Sequence, residues 1–340
     1  MYRTILIAAV IVAGHAQSAV AQPSAKAGSV PIIYTTDLYH PHDDPDDLYD
    51  LATLFAIHEF DIRAIVIDTG QRGANRPGIP AIQQIMHITG RTVPYSTGLT
   101  DNLRTPDDRA EHQPDTAQAG VELILRQLRE SQTSVTIFTA GSLRDVAAAY
   151  NRDPTLLQSR IARLYVNIGE SNGGKEWNVS LDPNAYLRIL TSSLPVYWVP
   201  CFGTNGYLSQ WTFRQGDVLD SAPLALQNYF VYALTKASPT QRDPLKALTE
   251  PIPDKIKKKI WNERRNMWCT GAFLHAAGRS NATFSFKKVA VQLDDKAATR
   301  IISEGNGLQI LTFHRGDPVT YAHSMRETLR TLFVNIAGRR

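Results

Sequence analysis

Cysteine is scarce: the chain has two in 340 residues, Cys201 and Cys269. That excludes a disulfide framework of the kind that staples small exported domains. Both lie in apolar or aromatic surroundings, beside Phe202 and Trp268, and read either as two separate buried thiols or as one bridge. Long apolar runs are missing beyond the N-terminal segment, so no later stretch is long enough to span a bilayer, and no stable membrane association is expected. Internal repeats and low-complexity linkers are missing too, which leaves nothing to divide the chain into arrayed units. Charge of one sign is not in excess, with a formal net charge of +4. The densest basic stretch, Lys255 with Lys257, Lys258 and Lys259, is interleaved with Ile256, Ile260 and Trp261. It reads as the wet face of a helix, whereas nucleic-acid binding calls for a broader basic surface.

What is present suffices for a full core. Hydrophobic residues make up 43% and charged residues 20%, and a chain of this size can bury one large α/β body. The first residues read as a targeting segment: a positive charge at Arg3, an apolar run over 5–13, and the small-x-small triplet Ala19-Val20-Ala21. Cleavage is expected after Ala21, with 22–28 as a flexible leader, giving an exported protein, periplasmic or secreted. Residues 29–340 are then expected to form the folded domain.

The most unusual stretch follows. An apolar run, Ile32-Ile33-Tyr34, ends in Thr35-Thr36-Asp37, and a short link then gathers Asp43, Asp44, Asp46, Asp47 and Asp50. So many carboxylates in one turn repel unless a cation sits among them, and a hard, oxygen-seeking ion such as Ca²⁺ is the simplest choice. Asp44-Pro45 has the form of a helix start, with Asp44 as N-cap and Pro45 at the first helical position. Leu48, Leu51, Leu54 and Phe55 predict one buried face for that helix. Asp37 falls at the carboxyl end of a strand, where open α/β sheets place their ligand crevices. His40 and His42 stand beside the aspartates, and could suit a transition metal or simply line the mouth of a pocket.

Strands and helices then alternate. Strands are expected over 62–68, 135–139, 161–168 and 194–199; helices over 79–89, 117–130, 142–150 and 183–191. This predicts a doubly wound, mostly parallel sheet covered on both faces. Strands over 284–293, 300–302 and 309–312 and a closing helix over 321–334 predict a small β-rich appendage, 285–340, rather than a second domain.

Four blocks in order resemble the inosine–uridine-preferring nucleoside hydrolase family. Thr35-Thr36-Asp37 followed by Asp46-Asp47 is similar to that family's aspartate-rich loop, with Thr35 in place of its first aspartate and a longer spacer. Val66 to Gln71 resembles a strand ending in Gly-Asn, with Gln71 near the Asn position. Val135 to Leu143 is similar to a strand and turn whose backbone carbonyl, here that of Ala140, helps hold calcium. Ile168-Gly169, Asn172, Glu176-Trp177-Asn178 and Asp182-Pro183 resemble a ribose-binding block.

The resemblance implies one bound Ca²⁺, or another divalent metal, and hydrolysis of an N-ribosidic bond in a small nucleoside or riboside. Asp37 would be the general base and, with Asp47, the Ala140 carbonyl and Thr270, would hold the metal. Asp46, Gln71, Asn172, Glu176 and Asn178 would grip the substrate. The family's His-Asp pair is met here by Cys269-Thr270, so one carboxylate is replaced. His275, the nearest histidine, reads as a satisfied helix histidine before a ligand. A noncatalytic periplasmic nucleoside or sugar binder on the same fold and another metal-dependent hydrolase stand as alternatives. A phosphoaspartate mechanism is disfavoured, because Tyr39 stands where a second aspartate would be needed. Self-association stays open.

Overall fold

A computed structural model describes residues 28–42, 45–70, 76–203, 206–303 and 306–337. The targeting segment over 1–21, most of the leader, Asp43, Asp44 and Gln71 lie outside the described residues. Among the described residues no helix is long and apolar enough to cross a membrane.

In chain order the elements that build the body are β1 (Val30–Thr36), α1 (Asp46–Ala56), β2 (Phe60–Ile67), α2 (Ile79–Thr89), β3 (Tyr95–Thr97), α3 (Ala119–Glu130), β4 (Val135–Ala140), α4 (Arg144–Arg152), β5 (Ile161–Val166), α5 (Trp177–Leu181), α6 (Pro183–Leu190) and β6 (Val196–Trp198). They continue as α7 (Leu224–Leu234), α8 (Asp254–Asn262), α9 (Thr270–Ala276), β7 (Phe284–Leu293), β8 (Thr299–Ile302), β9 (Leu308–Arg315) and α10 (Pro318–Val334). Among the described residues, nine strands join in the order β8-β7-β9-β6-β5-β4-β1-β2-β3. Neighbours from β9 to β3 run parallel, while β7 pairs antiparallel with both β8 and β9. The sheet is therefore the doubly wound, mostly parallel one expected, and the β-rich tail is its antiparallel edge.

The alternation of side chains along each strand explains the two layers of core. Ile32 and Tyr34 of β1 point into one cluster with Phe138 of β4, Tyr165 of β5, and Phe230, Phe273 and Phe333 from α7, α9 and α10. Ile33 points to the opposite face, with Val66 of β2, Ile137 of β4, and Val121, Leu128, Val146 and Ile189 from α3, α4 and α6. A sheet covered on both faces needs apolar residues at consecutive positions, which is why the strands read as unbroken apolar runs.

Two helix starts depart from expectation. α1 begins at Asp46 with Pro45 in the N-cap position and no side-chain cap. Its burial is not confined to one face: Asp47 through Ala56 are all buried, because α10 and α9 cover the side that a surface helix would leave wet. α10 starts at Pro318, earlier than the apolar spacing suggests, since Asp317 caps it by accepting from the Thr320 amide at 2.8 Å.

Switch points in open sheets form where consecutive strands diverge to opposite sides. Here β1 sits between β2 and β4, so the carboxyl ends of β1 and β4 frame a crevice.

Candidate active site

That crevice opens into a cavity of about 310 Å³. From the β1–α1 link come Asp37, Tyr39, His42, Asp46 and Asp47; from the end of β4, Ala140; from the β5–α5 link, Asn167, Glu176, Trp177 and Asn178. Cys201, Phe202, Trp268 and Cys269 close the remaining wall.

Each acidic group is held by a local cause. Asp47 Oδ1 accepts from the Thr36 hydroxyl at 2.7 Å, and its Oδ2 lies 3.3 Å from His42 Nε2. His42 stacks on Tyr39 with ring centroids 4.3 Å apart. The Asp37 amide donates to the Ala140 carbonyl at 3.3 Å, which locks the ends of β1 and β4 together. Burial, then the charges of Asp47 and Asp68, hold the Asp37 carboxyl well above the usual carboxylate range. A carboxyl raised in this way holds a proton more tightly than a free one, which suits it to accept one.

Glu176 is the N-cap of α5. Its Oε1 accepts from the Asn178 amide at 3.0 Å, and its Oε2 from the amides of Val179 at 3.0 Å and Gly169 at 3.1 Å. A carboxylate offers about four acceptor sites, and backbone amides, that of Trp177 among them, draw on them while the group lines the cavity. Burial outweighs those bonds and raises its proton affinity. Gly169 must be glycine, with φ +107°, because a Cβ would strike the Tyr186 hydroxyl and the Trp198 indole. The side-chain oxygens of Asn167 and Asn178 are buried without a partner and belong to the cavity wall.

The expectations for Asn172 and Thr270 need correction, and three open readings are settled, those of His40, the two cysteines and His275. Asn172 is not among the cavity-lining residues; its Nδ2 donates to the Gly203 carbonyl at 3.3 Å and its Oδ1 accepts from the Gly174 amide, so it shapes a turn. Thr270 is fully buried behind the wall, its Oγ1 accepting from Trp211 Nε1 at 3.1 Å. Cys269, one residue earlier, takes the position on the cavity. His40 turns away, with Nε2 2.6 Å from the Ala237 carbonyl and its ring stacked on Tyr232. Cys201 and Cys269 are two free, buried thiols. Burial, reinforced by nearby carboxylates, pushes both thiols well up, which favours their neutral form. His275 is a satisfied helix histidine: its Nδ1 lies 2.6 Å from the Tyr165 hydroxyl, and burial lowers it to about 4.

Behind the cavity runs a buried ion network that motif reading passed over. Arg144 Nε donates to Asp182 Oδ2 at 3.0 Å and its Nη1 to Asp68 Oδ1 at 3.5 Å. Nearby, the Asp145 carboxyl accepts from the Leu99 amide at 3.0 Å. Burial and the Asp68 charge raise Asp145 to about 7. The native state therefore holds a proton that the unfolded chain, with a carboxyl near ~3.9, has lost across the window between. Stability should fall as pH rises through that window. Asp145→Asn keeps an oxygen for the Leu99 amide and should remove the slope. At pH 8 it is expected to be more stable than the parent by on the order of 3 kcal/mol, read from urea midpoints across pH.

Comparison with known proteins places this geometry. The profile of the inosine-uridine preferring nucleoside hydrolase family matches residues 32–300. A pyrimidine-specific ribonucleoside hydrolase, RihA, of Escherichia coli O1:K1 is 26% identical over 189 residues, covering 49% of this chain and 59% of the relative. The RihA of Salmonella schwarzengrund is 29% identical over 193 residues, with the same shares. The chain thus spans less than two thirds of the length of these curated relatives. Among solved structures, a purine-preferring ribonucleoside hydrolase from Gardnerella vaginalis superposes with a TM-score of 0.57 at 14% identity, covering 89% of this chain and 99% of the other. A plant nucleoside hydrolase gives 0.57 at 16% identity, covering 92% and 99%. These structural likenesses establish the fold. With the profile matched from β1 to β8, across every cavity-lining residue, this chain belongs to the inosine-uridine preferring nucleoside hydrolase family.

Proposed function

We propose that this chain hydrolyses the N-glycosidic bond of a ribonucleoside or a related N-riboside. The observation that carries this is convergence: Asp37, Asp46 and Asp47 from one strand end and Asn167, Glu176 and Asn178 from another line a single cavity at the switch point of the sheet. Cleavage of a ribose–base bond passes through an oxocarbenium-like state. Water adds to the anomeric carbon as the carbon–nitrogen bond breaks; Asp37 takes the proton of the water, and the departing base takes up a proton in its turn. The cavity-lining carboxylate of Glu176 and the unpartnered amide oxygens of Asn167 and Asn178 suit sugar hydroxyls, while Trp177, Phe202 and Trp268 give the base an aromatic wall.

The donors fit a divalent cation of the hard type. The charge of Asp47 adds to the cost of ionising Asp37, and the Ala140 carbonyl lines the same cavity. Asp37, Asp47 and the Ala140 oxygen would hold it, with Ca²⁺ the best match to an all-oxygen set. When bound it supplies positive charge that polarises water and favours a vicinal diol. Among the described residues no three His, Cys, Asp or Glu side chains form a metal-binding group. We also propose, from the N-terminal segment, that the protein is exported.

Incubation with inosine, uridine, cytidine and adenosine in the presence of Ca²⁺ should release free ribose. Chelation should reduce turnover at least ~100-fold, reversed by adding the ion back. No ribose from any nucleoside would overturn the hydrolytic reading. The replacement of the family's His-Asp pair by Cys269-Thr270, with the Cys269 thiol on the cavity, favours one other reading, a nucleoside or sugar binder. Calorimetry showing tight binding without turnover would select it.

A further inference from the structure

Arg144 is the most heavily partnered side chain next to the cavity, yet it does not line it. It is 2% exposed. Its Nη1 also donates to the carbonyls of Leu99 and Thr100, both at 3.2 Å, and its Nη2 to Asn102 Oδ1 at 2.8 Å and the Leu181 carbonyl at 3.1 Å. A guanidinium has five N–H donors, and none is left for solvent or ligand.

The two carboxylates it joins do not line the cavity but are bonded to the two chain segments that carry its opposite walls. Asp68 follows β2. Its Oδ2 accepts from the Ser142 amide at 2.8 Å, in the turn that leaves Ala140. Gly141 fills the space between: a Cβ there would lie 3.2 Å from Asp68 Oδ2 and 3.1 Å from the Asp37 amide nitrogen. Asp68 is thus packed against the backbone that carries Asp37. Asp182 stands at the far end of α5, whose first turn carries Glu176 and Asn178; it caps α6 through the Ala185 amide and also accepts from the Leu103 amide. Leu181, the last residue of α5, is held by the same guanidinium.

We propose that Arg144 is a positioning residue for the hydrolysis, tying the Asp37 wall to the Glu176–Asn178 wall through Asp68 on one side and Asp182 with Leu181 on the other. The proposal rests on the hydrolytic reading above. Its physical content is that base and sugar grip are carried by separate βα links, which the sheet alone does not hold in register. Misplacement of reacting groups by about 1 Å can cost about 100-fold in rate. Lysine, a point charge on a flexible stem, cannot replace a planar fork that serves two carboxylates and three carbonyls.

The test uses the full chain and the nucleoside turned over fastest by the parent. Arg144→Lys is expected to lower kcat/KM by about 30-fold or more, and a crystal structure of the variant to show the Asp37–Glu176 carboxylate separation changed by about 0.5 Å or more. Asp182→Asn keeps an oxygen for the Ala185 amide but weakens the tie to α5. It is expected to raise KM about tenfold with kcat within about threefold. This is a split that mere loss of folded protein, which lowers apparent kcat alone, does not produce. Folded Arg144→Lys protein with both constants within about threefold of the parent and an unchanged separation overturns the proposal. If Arg144→Lys does not fold, Asp182→Asn decides alone, an unchanged KM overturning it. A parent without turnover on any nucleoside overturns the hydrolytic reading instead, and the crystallographic separation still decides whether Arg144 positions the two walls.

Discussion

Asp37→Asn is expected to lower kcat by about 1,000-fold while leaving KM within a few-fold, measured as ribose release under saturating nucleoside. Asparagine has nearly the same shape and leaves the bond from the residue 37 amide to the Ala140 carbonyl in place. What it removes is the one proton acceptor of the site whose affinity is raised by burial and by two neighbouring carboxylates, Asp47 and Asp68. The same change relieves repulsion. In chelated protein near neutral pH the variant should therefore melt higher than the parent, because folding the parent must either bury that charge or take up a proton, and the variant does neither. A variant that is both less active and more stable separates a chemical role from a structural one. Activity within tenfold of the parent would remove Asp37 from the reaction.

Glu176→Ala should show the opposite pairing, with function and stability lost together. The substitution removes a carboxylate that lines the cavity beside Asn178, and kcat/KM is expected to fall about 1,000-fold, chiefly through KM. It also strips the cap from α5 and leaves the buried Gly169 amide without a partner. Loss of a cap costs about 1 kcal/mol and an orphaned buried amide about 1–3 kcal/mol, so the urea midpoint should drop as well. Glu176→Gln retains one acceptor oxygen and should lie between. If Glu176→Ala binds substrate as the parent does, the carboxylate serves only the backbone.

These two residues stand where motif and topology agree, and such positions are the ones most legible in the amino-acid order. Asp37 ends an apolar run and precedes a cluster of like charge; Glu176 precedes a short helix with Asn178 two residues on. α2 spans the residues expected, since Pro80 and Gly90 mark its two ends, the latter in the left-handed region with φ +67°. β7 likewise matches, with turn residues on both sides. What could not be read has a common cause: it depends on neighbours far along the chain. Asn167 looks like any polar residue at a strand end until β5 is set beside β4. Arg144 opens a helix with charged and apolar residues around it, a pattern typical of a surface. Only the arrival of Asp68, 76 residues earlier, and Asp182, 38 later, makes its burial affordable. Cys269 rather than Thr270 faces the cavity because the start of α9 sets which residue turns inward, and an alignment by spacing is uncertain by one position there. Asn172 was plausible as a ligand because asparagine serves sugars and turns equally well.

The β8 strand lies at one border of the sheet, where unpaired backbone groups ordinarily invite another chain to add on. Here the Ile301 amide donates to the Ser171 carbonyl and the Gly173 amide to the Thr299 carbonyl, both at 2.9 Å. The loop leading to Glu176 thus seals that border against edge-to-edge aggregation. Sequence drift in this loop is constrained twice over, once by the pocket it serves and once by the solubility of the sheet it shields.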